Sequence, residues 1–214
     1  MSCYIHSDVQ HARDLHQETL ENYAQIHRIF DLLEQFAITL QEAHHHNDLR
    51  CAGEISNYHP DFLGKNPGRI MNSVFTPDDA RKTIALEYGF GSWDQVSYAK
   101  INHEFEEAVN FLVTGKQAAL RELVSENPNL LTMRSDFGHA AALIHYAGNN
   151  GVELWRQLVP SNLPQMVTML IETGANKDIT ADFYGEAYTT RDLAATSAHP
   201  KAAGIESELL KALD

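Results

Sequence analysis

Cysteine is scarce in this chain of 214 residues: Cys3 and Cys51 are the only two, and neither stands in a CxxC spacing. A disulfide framework or a thiolate metal site is thereby excluded as the basis of the fold, and free thiols in a cytoplasmic protein are expected. The opening Met1-Ser2-Cys3-Tyr4-Ile5-His6 has no basic stretch leading into an apolar run, so no secretory leader is read there. Long apolar runs are missing too. Nothing approaches the roughly 20 consecutive apolar residues of a spanning helix, and no membrane partner is expected. Basic charge is also short, with 16 Lys and Arg against 29 Asp and Glu for a net charge of −13. Residues 1–100 hold 8 basic and 14 acidic groups and residues 101–214 hold 8 and 15. Neither half can neutralise a phosphate backbone, which excludes nucleic acid as the expected partner. A basic protein is the partner that charge favours, although acidity also serves solubility alone.

The motifs that would announce catalysis are missing as well. Gly89-Phe90-Gly91 lacks the preceding strand and third glycine of a dinucleotide loop, and there is no GxxxxGK[ST], GxSxG or HExxH. His44-His45-His46, with His6, His11, His16 and His27, is the one metal candidate. Consecutive helical residues point about 100° apart and cannot converge on one ion, so a solvated helix face is the expectation. No catalytic residue, cofactor or metal ligand is assigned.

What the chain does contain is helical signal. Asp8 to about Asn47 has no Gly or Pro and sets Leu20, Tyr23, Ile26, Phe30, Leu33, Ala37 and Leu40 on one stripe, which reads as a long helix, unbroken or in two pieces. Arg50 to Phe75 is rich in turn residues and reads as irregular and connecting. Thr76-Pro77-Asp78-Asp79 predicts a helix start, since the hydroxyl caps, the proline fits the first turn and the carboxylates face the positive end of the dipole. That helix should stop at Gly89, and Ser92-Trp93-Asp94-Gln95 predicts a second start by a Ser-x-x-Gln capping box. Beyond residue 104, Phe105–Thr114 and Lys116–Glu126 read as a helical hairpin around Gly115, closed by Asn127-Pro128. A second unit opens at Asp136-Phe137-Gly138-His139, has helical segments from Ala141 to Asn149 and from Leu163, and contains an insertion, Val152–Ser161. A third opens at Asp182-Phe183-Tyr184-Gly185, an offset of 182 − 136 = 46 residues. Ile205–Leu213 closes the chain as a helix with a charged outer face.

Ala142-Leu143-Ile144-His145-Tyr146-Ala147 followed by Leu163–Ala175 resembles an ankyrin repeat. Thr189-Thr190-Arg191-Asp192-Leu193-Ala194-Ala195 stands where such a repeat reads Thr-Pro-Leu-His-Leu-Ala-Ala, and Ala85–Trp93 is similar to the helical lead-in before bacterial ankyrin arrays. Against a repeat of about 33 residues, the insertion absorbs most of the longer offset. The resemblance implies an all-α fold, an ankyrin-like stack of helical hairpins in two to three degenerate repeats over residues 102–214, capped by an N-terminal helical region over 1–101. It implies structural roles for His145, Gly174 and Thr189. It also implies a non-enzymatic module that grips a protein partner through its finger and groove surface. Phe137, His139, Asp182, Phe183, Tyr184, Glu186 and Tyr188 on the fingers, and Trp155 and Arg156 in the insertion, are the candidate contacts. For Phe137 and Phe183 the rival reading is inward packing, and Trp155 could equally seal the core. Two alternatives stand beside this one: an acidic inhibitor or immunity-type protein that neutralises a basic enzyme or toxin, and a metal-dependent hydrolase using the N-terminal histidines.

Overall fold

The computed structural model describes Ser2–Asp214. The elements in order are β1 (Cys3–Tyr4), α1 (Ser7–Leu15), α2 (Gln17–Glu21), α3 (Ile29–His45), α4 (Ala52–Tyr58), α5 (Pro67–Met71), α6 (Pro77–Glu87), α7 (His103–Val113), α8 (Gln117–Glu126), β2 (Val159–Pro160), α9 (Leu163–Thr173), β3 (Ala181–Phe183), β4 (Glu186–Tyr188), α10 (Thr190–Thr196), α11 (Ala198–Ala202) and α12 (Glu206–Leu213). Short 3-10 turns link several of them. The protein is thus mostly helical, with two small two-stranded antiparallel sheets, β1–β2 and β3–β4. No helix among the described residues is long and apolar enough to cross a membrane.

The chain divides into two compact units. One comprises Ser7–Ile101 together with Asp136–Gly138, and the other comprises residues 1–6, Asn102–Ser135 and His139–Asp214.

In the Ser7–Ile101 unit the long apolar stripe is cut into α1, α2, a 3-10 turn at Tyr23–Gln25 and α3. The long helix expected from the pattern, unbroken or in two pieces, is therefore corrected to three helices and a 3-10 turn. The Asn22 side chain bonds back to the Glu18 carbonyl at 2.9 Å, and the chain turns extended at Ile26 and Arg28, so a polar side chain competes with the helix for its own backbone. Tyr23, Ile26, Leu33, Ala37 and Leu40 are buried all the same. Arg50–Phe75 is not irregular as expected but carries α4, α5 and two 3-10 turns. Its turn-forming residues start helices here: Asn66 accepts from the Arg69 amide at 3.0 Å and Pro67 occupies the first helical turn. α6 begins where the sequence placed it, with Thr76 and Asp79 exchanging bonds in a capping box. The second capping box does not form. Trp93–Gln95 is one 3-10 turn, the Ser92 side chain makes no cap bond, and Gln95 Oε1 accepts instead from the Gly91 amide at 3.0 Å. Asp136–Gly138 joins this unit through the Gly138 amide, which donates to the Tyr88 carbonyl at 2.9 Å. A Cβ at Gly138 would lie 2.3 Å from the Gly89 carbonyl carbon, so only glycine allows that approach.

In the second unit α7 packs on α8, α8 on α9, and α9 on α12, while the 3-10 segment Leu143–Gly148 packs on α7 and on α10. By their contacts these elements fall into two rows, α7, Leu143–Gly148 and α10 in one, and α8, α9 and α12 in the other, with α7 touching α8, Leu143–Gly148 touching α9 and α10 touching α12 across them. Leu143–Gly148 is 3-10 and not α as the sequence reading had it, and it ends at Asn149 in the left-handed region (φ 50°). Gly174 ends α9 with φ 117°, a left-handed cap that a side chain would strain. Thr189 caps α10 by accepting from the Asp192 amide, and Asp192 returns the bond to the Thr189 amide at 3.0 Å. The insertion Val152–Ser161 is not a surface loop, since residues 152–160 are all buried and β2 pairs with β1. Its apolar Leu154, Trp155, Leu158 and Val159 belong to the core.

Candidate functional site

The β3–β4 hairpin is the surface on which candidate residues converge. Ala181 pairs with Tyr188, Asp182 with Ala187 and Phe183 with Glu186, which leaves Tyr184-Gly185 as a two-residue turn. Both turn residues are left-handed, Tyr184 at φ 56° and Gly185 at φ 82°. Such turns suit the right-handed twist of the strands but are normally built from Asn, Asp or Gly, because a bulky residue strains there. Tyr184 is 66% exposed, and its hydroxyl donates to Asn150 Oδ1 at 2.8 Å, which fixes the ring over the turn. The Tyr188 ring meets it edge to face at 6.4 Å, and the Tyr188 hydroxyl donates to Glu186 Oε2 at 3.4 Å. Asp182 and Glu186 are exposed.

The hairpin is anchored from below. Phe183 is buried, with its ring stacked on His139 at 5.5 Å and tilted against His145 at 5.7 Å. His145 accepts the Ala142 amide at Nδ1 (3.0 Å) and donates from Nε2 to the Ile179 carbonyl (3.1 Å), so one imidazole ties the start of the 3-10 segment to the connection leading into β3. Burial lowers its pKa to about 4, helped by the nearby Arg134, so the ring is neutral around pH 7. Beside the hairpin lies an open groove of about 370 Å³ whose lining includes Arg134, Asp182, Gly185, Glu186 and Ala187. Arg134 Nη1 donates to the carbonyls of Ala140 (3.0 Å) and Thr180 (2.6 Å), bracing the groove floor.

Five of the nine expected partner contacts are placed otherwise. Phe137 is buried in the Ser7–Ile101 unit, edge to face with Tyr88 at 4.8 Å. His139, Phe183, Trp155 and Arg156 are buried in the other, so none of the five offers a surface to a partner. For the aromatic residues the cause is apolar burial. For Arg156 it is charge: its Nη2 lies 2.5 Å from Glu106 Oε2, its Nη1 lies 3.8 Å from Glu153 Oε1, and its guanidinium sits 4.4 Å from the Trp155 ring centre. Glu153 also receives Tyr146 Oη and His139 Nε2, each at 3.4 Å. Burial would raise the Glu153 pKa, but Arg156 first and His139 second outweigh it and hold the carboxyl below its usual range. Tyr184, Asp182, Glu186 and Tyr188 keep exposed or half-exposed positions.

The Ser7–Ile101 unit contains a second buried polar cluster that the sequence reading missed. His16 Nε2 lies 2.9 Å from Glu54 Oε2, and Glu54 shares a side-chain hydrogen bond with Glu87. All three are buried. Burial drives Glu54 up to about 7 and His16 down to about 4, the Glu87 charge opposing the latter in part. These residues come from α4, α6 and the α1–α2 junction, with no local spacing to reveal them. The other N-terminal histidines do not gather. His44 Nε2 donates to the Ile70 carbonyl at 3.0 Å, His46 Nδ1 bonds the Glu42 carbonyl, and no group of three metal-ligating side chains is present among the described residues. Asn150 and Arg134, which orient Tyr184 and brace the groove, were also missed, because their partners lie 34 and 46 residues away. No family model, curated protein or solved structure matches this chain.

Proposed function

We propose that the protein is a non-enzymatic interaction module that binds a protein partner through the β3–β4 hairpin and the adjoining groove. The observation that carries this reading is Tyr184: a large aromatic residue kept at a left-handed turn apex, exposed, and aimed by a hydrogen bond to Asn150. Local backbone strain of this kind costs about 1–3 kcal/mol and is retained where a side chain has work at that place. An amphipathic, oriented tyrosine is a good binding anchor, because little freedom is left to lose on contact. The two rows of helical segments, the His145 bridge and the Gly174 cap support an ankyrin-like stack in which this hairpin is a finger. The buried clusters are closed to solvent, so the hairpin is the better place to look for function.

Capture from the source cell with wild type beside a Tyr184→Gly/Tyr188→Ala variant tests the proposal. The partner should be held by wild type and lost from the variant at unchanged melting temperature. A partner held equally by both would move the site elsewhere.

A further inference from the structure

The chain holds one Asn-Gly step, Asn150-Gly151, and the hairpin tip reaches onto it. At such a step a side-chain amide meets a main-chain nitrogen that no side chain shields, so the two can close a five-membered ring. Here they are brought to one point. The Tyr184 hydroxyl donates to Asn150 Oδ1 at 2.8 Å and accepts a hydrogen bond from the Gly151 amide, so the Asn150 carboxamide is turned back towards the nitrogen that follows it. Asn150 Nδ2 donates to Thr196 Oγ1 at 3.1 Å, which fixes the other end of the group. Gly151 stands at φ 75°, and a Cβ there would lie 2.6 Å from the Phe183 ring, so a shielding side chain has no room. Both residues are half-buried and within reach of water. A hydroxyl set between an N–H and an amide oxygen can take the proton of the first as it gives its own to the second, and groups held at one point need little further ordering to react.

We infer that Asn150-Gly151 is a self-modification site at which the Tyr184 hydroxyl relays the proton. The Gly151 nitrogen bonds to Asn150 Cγ while its proton passes to Tyr184 and the phenol proton passes to Oδ1. The Cγ–Nδ2 bond then breaks, and the nitrogen leaves as ammonia with the proton from Oδ1, closing a succinimide. Water opens that ring at either carbonyl, giving aspartate or isoaspartate. In both products a neutral amide has become a carboxylate, and in isoaspartate the main chain runs through the former side chain. The site does not depend on the hairpin binding a partner, since every reacting group but water belongs to this chain. The test follows the full chain at mildly alkaline pH, with proteolytic fragments weighed for exchange of NH2 by OH at Asn150 and isoaspartate scored by enzymatic methylation. Folded wild type should react at Asn150 about tenfold faster than the same chain in denaturant, which reports the unassisted step. Tyr184→Phe keeps the ring and removes the relay, and should bring the folded rate down to that of the unfolded chain while the hairpin amide signals stay in place. A Tyr184→Phe chain that reacts as fast as wild type, or faster, would overturn the relay. Folded wild type reacting no faster than the unfolded chain would show that the hydrogen bonds restrain the amide, and would overturn the site itself without any variant.

Discussion

The two units bury similar polar groups in opposite ways. Each encloses two glutamates and a histidine: His16, Glu54 and Glu87 in the one, His139, Glu106 and Glu153 in the other. The second adds Arg156, and that one cation changes the protonation of its neighbours. Glu153 is held ionised below its ordinary range, whereas Glu54, lacking such a partner, is pushed up to about 7 and keeps its proton through weakly acidic conditions. A buried carboxylate can be kept as an ion by pairing, or made neutral by holding a proton. One chain uses both solutions, and the choice follows from whether an arginine was built into the cluster.

The comparison breaks most sharply at Arg156. Arg156→Ala leaves Glu106 and Glu153 buried without their cation and should cost about 3–5 kcal/mol in denaturant unfolding. Adding Glu106→Gln and Glu153→Gln should restore much of that loss. If the triple variant is no better than the single, charge compensation is not what Arg156 provides.

The pH response should separate the units. Glu54 has a folded pKa above its unfolded value, so its contribution is complete below about pH 4.5 and disappears as pH rises through about 7. In the other unit, the lowered Glu153 contributes above its unfolded value and loses that contribution as the solution is acidified. His145, depressed to about 4, likewise favours the folded state above about pH 6.5 and stops doing so as pH falls towards 4. Amide protection in α4 and α6, measured against the intrinsic exchange rate at each pH, should therefore fall between pH 6 and 8. Glu54→Gln should flatten that slope, with a gain of roughly 1–3 kcal/mol at pH 8. An unchanged slope in the variant would remove Glu54 as its source. His16, also lowered to about 4, adds acid sensitivity to this unit, so only the alkaline limb is diagnostic.

Smaller effects sharpen the contrast at the surface. His145→Ala should cost about 1–3 kcal/mol, because the Ala142 amide and Ile179 carbonyl lose their shared partner. A variant of unaltered stability would deny the bridge its role. Tyr184→Gly should leave stability unchanged or raise it by up to about 1 kcal/mol, since glycine accepts the left-handed turn, while binding is lost. A large destabilisation would show that Tyr184 serves the fold and not a partner.

Elements set by local chemistry were legible in the sequence. Thr76-Pro77-Asp78-Asp79 began α6 because the cap lies within four residues, and Gly115 and Gly174 ended helices because only backbone conformation was at stake. The long stripe from Asp8 was read in the right phase but as too few pieces, since Asn22 ends α2 with a bond that no periodicity reports. At the candidate site, Tyr184, Tyr188, Asp182 and Glu186 were legible as polar and aromatic groups around a turn. Arg156 and Trp155 were misplaced because their neighbours come from elsewhere in the chain: Glu106 lies fifty residues earlier, and a lone arginine in an apolar stretch gives no sign of it.

β1 pairs with β2 across most of the sequence, Cys3 facing Pro160 and Tyr4 facing Val159. During synthesis the first strand leaves the ribosome long before its partner exists, and the Ser7–Ile101 unit has time to assemble while those leading residues wait. The unit to which residues 2–6 belong is thus the later of the two to be completed. A fragment begun at residue 102 would lack its opening strand, so dissection experiments should graft residues 2–6 back on instead of simply trimming them away.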